Sequence, residues 1–193
     1  MEKRFTTGRF SLVFSMKNKI KRIALLGPES TGKTTLCKQL AEHFKTVWVP
    51  EYSREYMEQL HRAYTLDDIE FCTKKQLEQE NDLLSKANAF IFCDTELIVA
   101  KVWCEDVLKI CPPWIEEEIT KRKDDLYLLT YPDLPFTEDP VRENPLRREY
   151  FYELYKNELE KRSFIFDILT GLGNRRFENA LNIIVNNFHV SDL

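Results

Sequence analysis

A three-layer α/β fold, with one parallel sheet of five strands between two layers of helices, is the architecture that this sequence predicts. Three observations predict it. Five short apolar runs alternate with longer stretches of helical periodicity, the pattern of βαβ units. The first run passes directly into Gly27-x-x-x-x-Gly32-Lys33-Thr34, with a helix-competent segment behind it. The second and third runs deliver single carboxylates, Glu51 and Asp94. Ligands of open α/β sheets sit beyond the carboxyl ends of the strands, so these residues are the first candidates for chemistry.

In chain order, residues 1–19 mix cations with scattered aromatics and carry no motif. They are expected to form a poorly ordered extension, with one domain over 20–193. The first strand is expected at 22–27, followed by a helix at 36–44. The second strand, 46–50, is Val- and Trp-rich and runs into Glu51. Residues 51–86 have the spacing of two helices broken near 63–66, with Asp67 and Asp68 placed as in a first helical turn. The third strand, 89–93, ends at Asp94, and a helix should then run to about Ile110, where Pro112-Pro113 interrupts it. Another helix begins at Trp114. The fourth strand is 126–130. Pro132, Pro135, Pro140 and Pro145 then mark a loop, expected as an arginine-bearing lid near 132–148. Helical periodicity over 147–162, a fifth strand at 164–169 and a last helix at 175–188 complete the chain, with strand order 2-3-1-4-5 expected.

Composition narrows the class of function. At 193 residues and 43% hydrophobic content, the chain is long enough for one well-filled core. A net charge of -4 argues against nucleic acid or an anionic membrane as partner, and no apolar run approaches the ~18 residues of a membrane span. Five cysteines in no paired spacing disfavour a disulfide framework or a zinc site, and fit reduced thiols in a cytoplasmic protein. Nothing in the sequence bears on oligomeric state.

The Gly27–Thr34 stretch is a phosphate-binding P-loop in its strand-loop-helix context. Its glycines let the backbone curl into a nest of N–H donors at a helix N-terminus, where the dipole favours anions. Gly27, Glu29, Ser30, Thr31, Gly32, Lys33, Thr34 and Thr35 are therefore the expected nucleotide-binding residues, with the choice between ATP and GTP left open. Lys33 reaches the β/γ-phosphates, and the Thr34 hydroxyl joins the Mg²⁺ shell. Asp94 closes an apolar strand as a metal-orienting carboxylate does, and an N-cap of the following helix is the alternative. Glu51 is placed to take a proton from an acceptor hydroxyl, with Arg54 one turn on and Tyr52 beside it. An ordinary surface ion pair is the bland alternative. Asp139 and Arg142, with Arg147 behind, are candidate lid residues unless the run is simply solvated. Gln76 and Glu80 share a helical face that points either into the acceptor pocket or to solvent. Arg175, after the fifth strand, either stacks on a purine or caps the last helix.

Taken together, Gly27-Pro28-Glu29-Ser30-Thr31-Gly32-Lys33-Thr34-Thr35-Leu36, Val49-Pro50-Glu51-Tyr52-Ser53-Arg54-Glu55-Tyr56, Cys93-Asp94-Thr95-Glu96 and Asp139-x-x-Arg142 resemble the nicotinamide riboside kinase domain of NadR-type NAD-biosynthesis proteins. The resemblance implies a P-loop kinase fold like that of nucleoside and nucleoside-monophosphate kinases. It also implies transfer of the ATP γ-phosphoryl group, with Mg²⁺, to the 5′-hydroxyl of nicotinamide riboside. By motif position Lys33 and Thr34 would hold phosphate and metal, Glu51 and Arg54 would lie at the acceptor, Asp94 near metal or ribose, and Asp139 with Arg142 in the lid. Phe136 and Asp139-Pro140 stand where the family often has Trp and Asp-Gly. The family's adenylyltransferase His-x-Gly-His motif does not occur, so the chain is not expected to make the dinucleotide. A kinase of another nucleoside-like acceptor, or a regulatory P-loop ATPase, remain the alternatives.

Overall fold

The structure is a computed structural model that describes residues 19–122, 126–137 and 145–188. Five strands, β1 (Lys21–Leu26), β2 (Val47–Val49), β3 (Phe90–Asp94), β4 (Leu126–Thr130) and β5 (Phe166–Leu169), form one parallel sheet in the order β2-β3-β1-β4-β5. The alternation of side chains along each strand divides the apolar core in two. Ile23 and Leu25 face one side with Phe90, Phe92 and Leu128, where α1 (Lys33–His43) and α7 (Asn174–Asn187) cover them. Ala24 and Leu26 face the other with Ile91, Cys93 and Leu129, under α3 (Leu66–Leu84), α4 (Leu97–Trp103), α5 (Pro113–Lys121) and α6 (Arg148–Lys161). Apolar residues on both faces explain why β1, β3 and β4 read as unbroken hydrophobic runs.

The turn between α2 (Tyr52–Gln59) and α3 is held by charge and capping. The Thr65 hydroxyl accepts from the Asp68 N–H, the Asp68 carboxylate accepts from the Thr65 N–H, and that carboxylate also receives Arg62 and the Tyr56 hydroxyl. The Arg62 guanidinium, then Tyr56, hold Asp68 well below the usual carboxylate range.

One element differs from expectation. The helix after Asp94 does not run regularly to Ile110: it passes at Cys104 into a π-helical turn, Cys104–Leu108, closed by Lys109 at φ 58°. The wider turn keeps Cys104 in the core while the neighbouring Asp106 accepts from Arg147 and the Tyr150 hydroxyl at the start of α6. No helix among the described residues is long and apolar enough to cross a membrane. Cys37, Cys72, Cys93, Cys104 and Cys111 are all free thiols. The expected extension lies, but for Lys19, outside the described residues.

Candidate functional site

β1 and β4 end side by side and together shape the phosphate loop. Gly27 adopts φ 144°, and a Cβ there would run into the hydroxyl and carbonyl of Thr130. The buried Thr130 hydroxyl lies 2.9 Å from the Leu26 carbonyl and 2.7 Å from the Thr31 hydroxyl, which itself donates to the Pro28 carbonyl. Gly32, at φ 77°, is the N-cap of α1, so that helix starts at Lys33 and aims its free N–H groups into the loop. The Lys33 ammonium folds over the loop onto the Gly27 and Pro28 carbonyls, at 2.8 and 3.0 Å.

At the end of β3, Asp94 is almost fully buried and accepts the Thr34 hydroxyl on Oδ2 at 2.5 Å, while its Oδ1 has no partner among the described residues. Burial, and then the charge of Glu51, push the Asp94 carboxyl up to about 6. A buried unpaired carboxylate oxygen beside a hydroxyl is a hard-oxygen donor set that suits Mg²⁺. No group of three or more His, Cys, Asp or Glu among the described residues could hold a metal on its own, so a cation here would share its ligands with a phosphate. The cap of α4 falls to Glu96, whose carboxylate accepts the Ile98 N–H at 2.8 Å. Asp94 is thereby not needed as the cap.

A cavity of about 500 Å³ runs from this loop across the top of the sheet. Gly27 and all of Glu29, Ser30, Thr31, Gly32, Lys33, Thr34 and Thr35 line its phosphate end; Glu51, Arg54 and Gln76 line its middle. Glu51 sits at the N-cap of α2 and accepts the Ser53 hydroxyl at 2.9 Å, and Arg54 pairs with Glu58 at 3.3 Å. Met57, Tyr64, Leu97, Trp103 and Tyr155 add apolar lining, and Arg62 and Arg122 add charge. Burial raises the Tyr155 hydroxyl above its ordinary range and keeps it neutral. Glu80, the other residue proposed from the α3 face, is buried at the inner end between Arg22 and Arg122. The α3 face therefore looks into the cavity and not to solvent.

Three expectations need correction. Tyr52 does not line the cavity: its ring packs edge-on to Phe71, and only its backbone N–H reaches inward, to Gln76. Arg175 is exposed at the start of α7, and it is Arg176 that turns in, donating to the Gly171, Leu169 and Tyr131 carbonyls and to Asp133. Arg147 likewise turns away, onto Asp106 and the rings of Tyr150 and Phe151, whereas Arg148 donates to the Leu134 carbonyl at 2.8 Å and the Ser30 carbonyl at 3.2 Å. The Ser30 hydroxyl also exchanges hydrogen bonds with the Thr137 backbone, so 134–137 rests on the phosphate loop. Asp139 and Arg142 lie outside the described residues. Sequence reading missed Thr130, Trp103, Arg148, Tyr155 and Arg176; of these, only the second arginine of each Arg-Arg pair carried a signal, a charge next to one already chosen.

Comparison with known proteins bears on the family and the fold. The family model described as "AAA domain" matches residues 22–176. The trifunctional NAD biosynthesis/regulator protein NadR of Escherichia coli (strain K12) is 25% identical over 155 residues, 76% of this chain. The chain spans only 37% of the length of that curated relative. Two solved NadR structures superpose on it. One, in complex with NAD and AMP-PNP, has a TM-score of 0.71 at 23% identity over 88% of this chain and 49% of that one. The other, in complex with NR, has a TM-score of 0.73 at 22% identity over 89% and 52%. Thymidylate kinase from Ehrlichia chaffeensis has the same fold at a TM-score of 0.61 and 13% identity, covering 85% of this chain and 98% of its own.

Proposed function

This chain belongs to the AAA-domain family, and on that premise we propose that it is an ATP- and Mg²⁺-dependent kinase that phosphorylates nicotinamide riboside to nicotinamide mononucleotide. The observation that supports the proposal is that one cavity of about 500 Å³, roomy enough for a nucleoside beside a phosphate chain, is lined both by the phosphate loop and by Glu51, Arg54 and Gln76. A switch ATPase needs room for a water; it does not need such a cavity. The relationship to NadR, of which one solved structure binds NR and another AMP-PNP, supports this choice of acceptor and donor.

The roles follow from position. The phosphate-loop N–H groups and Lys33 hold the donor phosphates, Lys33 leaving its two carbonyl partners for them. Thr34 and Asp94 would hold the cation, which would supply neutralising charge beside the phosphates. Glu51 takes the proton of the acceptor's primary hydroxyl, Arg54 steadies the acceptor side, and the apolar lining excludes water. Asp139 and Arg142 are proposed to complete the charge stabilisation from the lid.

The test is ATP turnover with no acceptor, with nicotinamide riboside, and with nucleosides and nucleoside monophosphates, in wild type and Glu51→Gln. Nicotinamide riboside should be phosphorylated, and Glu51→Gln should lower that rate by roughly 10²–10⁴-fold with ATP affinity unchanged. Hydrolysis at one rate whatever the acceptor would replace the kinase by a regulatory ATPase. Turnover of another nucleoside in its place would leave the kinase and change the acceptor.

A further inference from the structure

Gln76 is buried in the middle of α3 and lines the cavity alongside Glu51 and Arg54, with 7% of its surface exposed. Its Oε1 accepts the Tyr52 backbone N–H at 2.8 Å. A backbone N–H can only donate, so this bond fixes which end of the amide is oxygen and commits Nε2 to the other direction. That Nε2 is buried and has no partner among the described residues. An unmet buried donor is costly to the protein, a cost recovered when a ligand brings the missing acceptor. One turn earlier, Thr73 lines the same cavity. Its hydroxyl proton is committed to the Ile69 carbonyl at 2.6 Å, so what it can offer to the cavity is a lone pair. The α3 wall thus presents a donor and an acceptor side by side, flanked by Ile69, Cys72 and Leu77 and, one turn on, by the paired Glu80.

We infer that Gln76 is a specificity-determining residue of the acceptor site, donating through Nε2 to an exocyclic carbonyl oxygen on the acceptor's ring while Thr73 receives an adjoining N–H. The complementary chemistry is an amide edge, C=O beside N–H, on a planar ring. The carboxamide of a nicotinamide ring and the carbonyl-imide edge of a pyrimidine both have it. This inference rests on the kinase reading and adds the group by which the acceptor is told apart. A site built to hydrogen-bond such a group rejects the analogue that lacks it, because its own polar atoms are then left unmet.

The experiment compares kcat/KM for nicotinamide riboside, thymidine, and the unsubstituted pyridinium riboside, which has no carbonyl, in wild type, Gln76→Leu and Gln76→Glu. Gln76→Glu keeps an oxygen for the Tyr52 N–H and serves if the leucine variant folds poorly. Wild type should favour a carbonyl-bearing acceptor over the bare pyridinium by about 10-fold or more, and both variants should bring that ratio to within about 2-fold. Which of the first two acceptors is turned over identifies the source of the amide edge. A purely structural role for Gln76 would lower all the rates together and leave the ratio intact, and that result overturns the inference while the kinase stands. Failure of wild type to phosphorylate any riboside overturns the kinase reading, and the inference with it.

Discussion

The Thr34 hydroxyl donates to Asp94 Oδ2 at 2.5 Å, joining the last position of the phosphate loop to the end of the strand beside it. The two residues are 60 apart in sequence, and they meet because β1 and β3 pair in parallel with Leu25 opposite Asp94. Each strand therefore ends at the same height. The bond leaves Asp94 Oδ1 bare in a dry place, which is costly for the protein alone and useful once a cation arrives.

That cost is measurable as a pH dependence. The Asp94 carboxyl is raised to about 6 from 3.8, so the folded chain binds this proton more tightly than the unfolded chain. Stability from this group is present at low pH and is lost as pH rises through about 6. Asp94→Asn should therefore stabilise the ligand-free protein by on the order of 2 kcal/mol at pH 7.5 and by much less at pH 4.5, while weakening Mg²⁺-dependent ATP binding. Calorimetric melting at the two pH values decides it: an equal shift at both would show that Asp94 is not held under this strain.

Asp68 should behave in the opposite sense. Its carboxyl is depressed by Arg62 and Tyr56, so its contribution is present above 3.8 and fades as pH falls below that value. Asp68→Asn cannot hold the Arg62 fork or complete the capping box, and it should cost about 1–2 kcal/mol at pH 7. Urea titrations at pH 7 and pH 3 check this. The wild-type advantage should shrink at pH 3, and a constant difference would assign the loss to packing.

Arg175 and Arg176 are neighbours with opposite expectations. Arg176 ties the loop after β4 to the loop after β5 through three carbonyls and Asp133, a planar fork that lysine cannot copy. Arg176→Lys should destabilise by about 2–4 kcal/mol, whereas Arg175→Ala should stay within about 0.5 kcal/mol. Thermal unfolding of both variants tests the assignment, which fails if Arg175→Ala is the more damaging.

The two arginine pairs show where sequence reading stops. In Arg147-Arg148 and in Arg175-Arg176, the first member was the residue chosen for the site and the second is the one that turns inward. Successive helical residues point about 100° apart, so a one-residue error of phase exchanges surface for interior. The phase is set by how the preceding loop enters the helix, which local composition does not encode. Gln76 and Glu80 posed the same problem along one face of α3, and packing of that helix against β2, α2 and α4 resolves it inward.

What the sequence determined by itself is everything carried by short-range pattern. The five apolar runs, their alternation with helices, the phosphate loop and the carboxylates at the ends of β2 and β3 depend on residue type and spacing over a few positions. Tertiary structure alone decided which side chains share the cavity, that Thr130 from β4 props the loop at Gly27, and that burial charges Asp94 with its raised proton affinity. These are long-range effects. They depend on distance and solvent exclusion between elements up to a hundred residues apart, and neither quantity exists until the sheet has assembled.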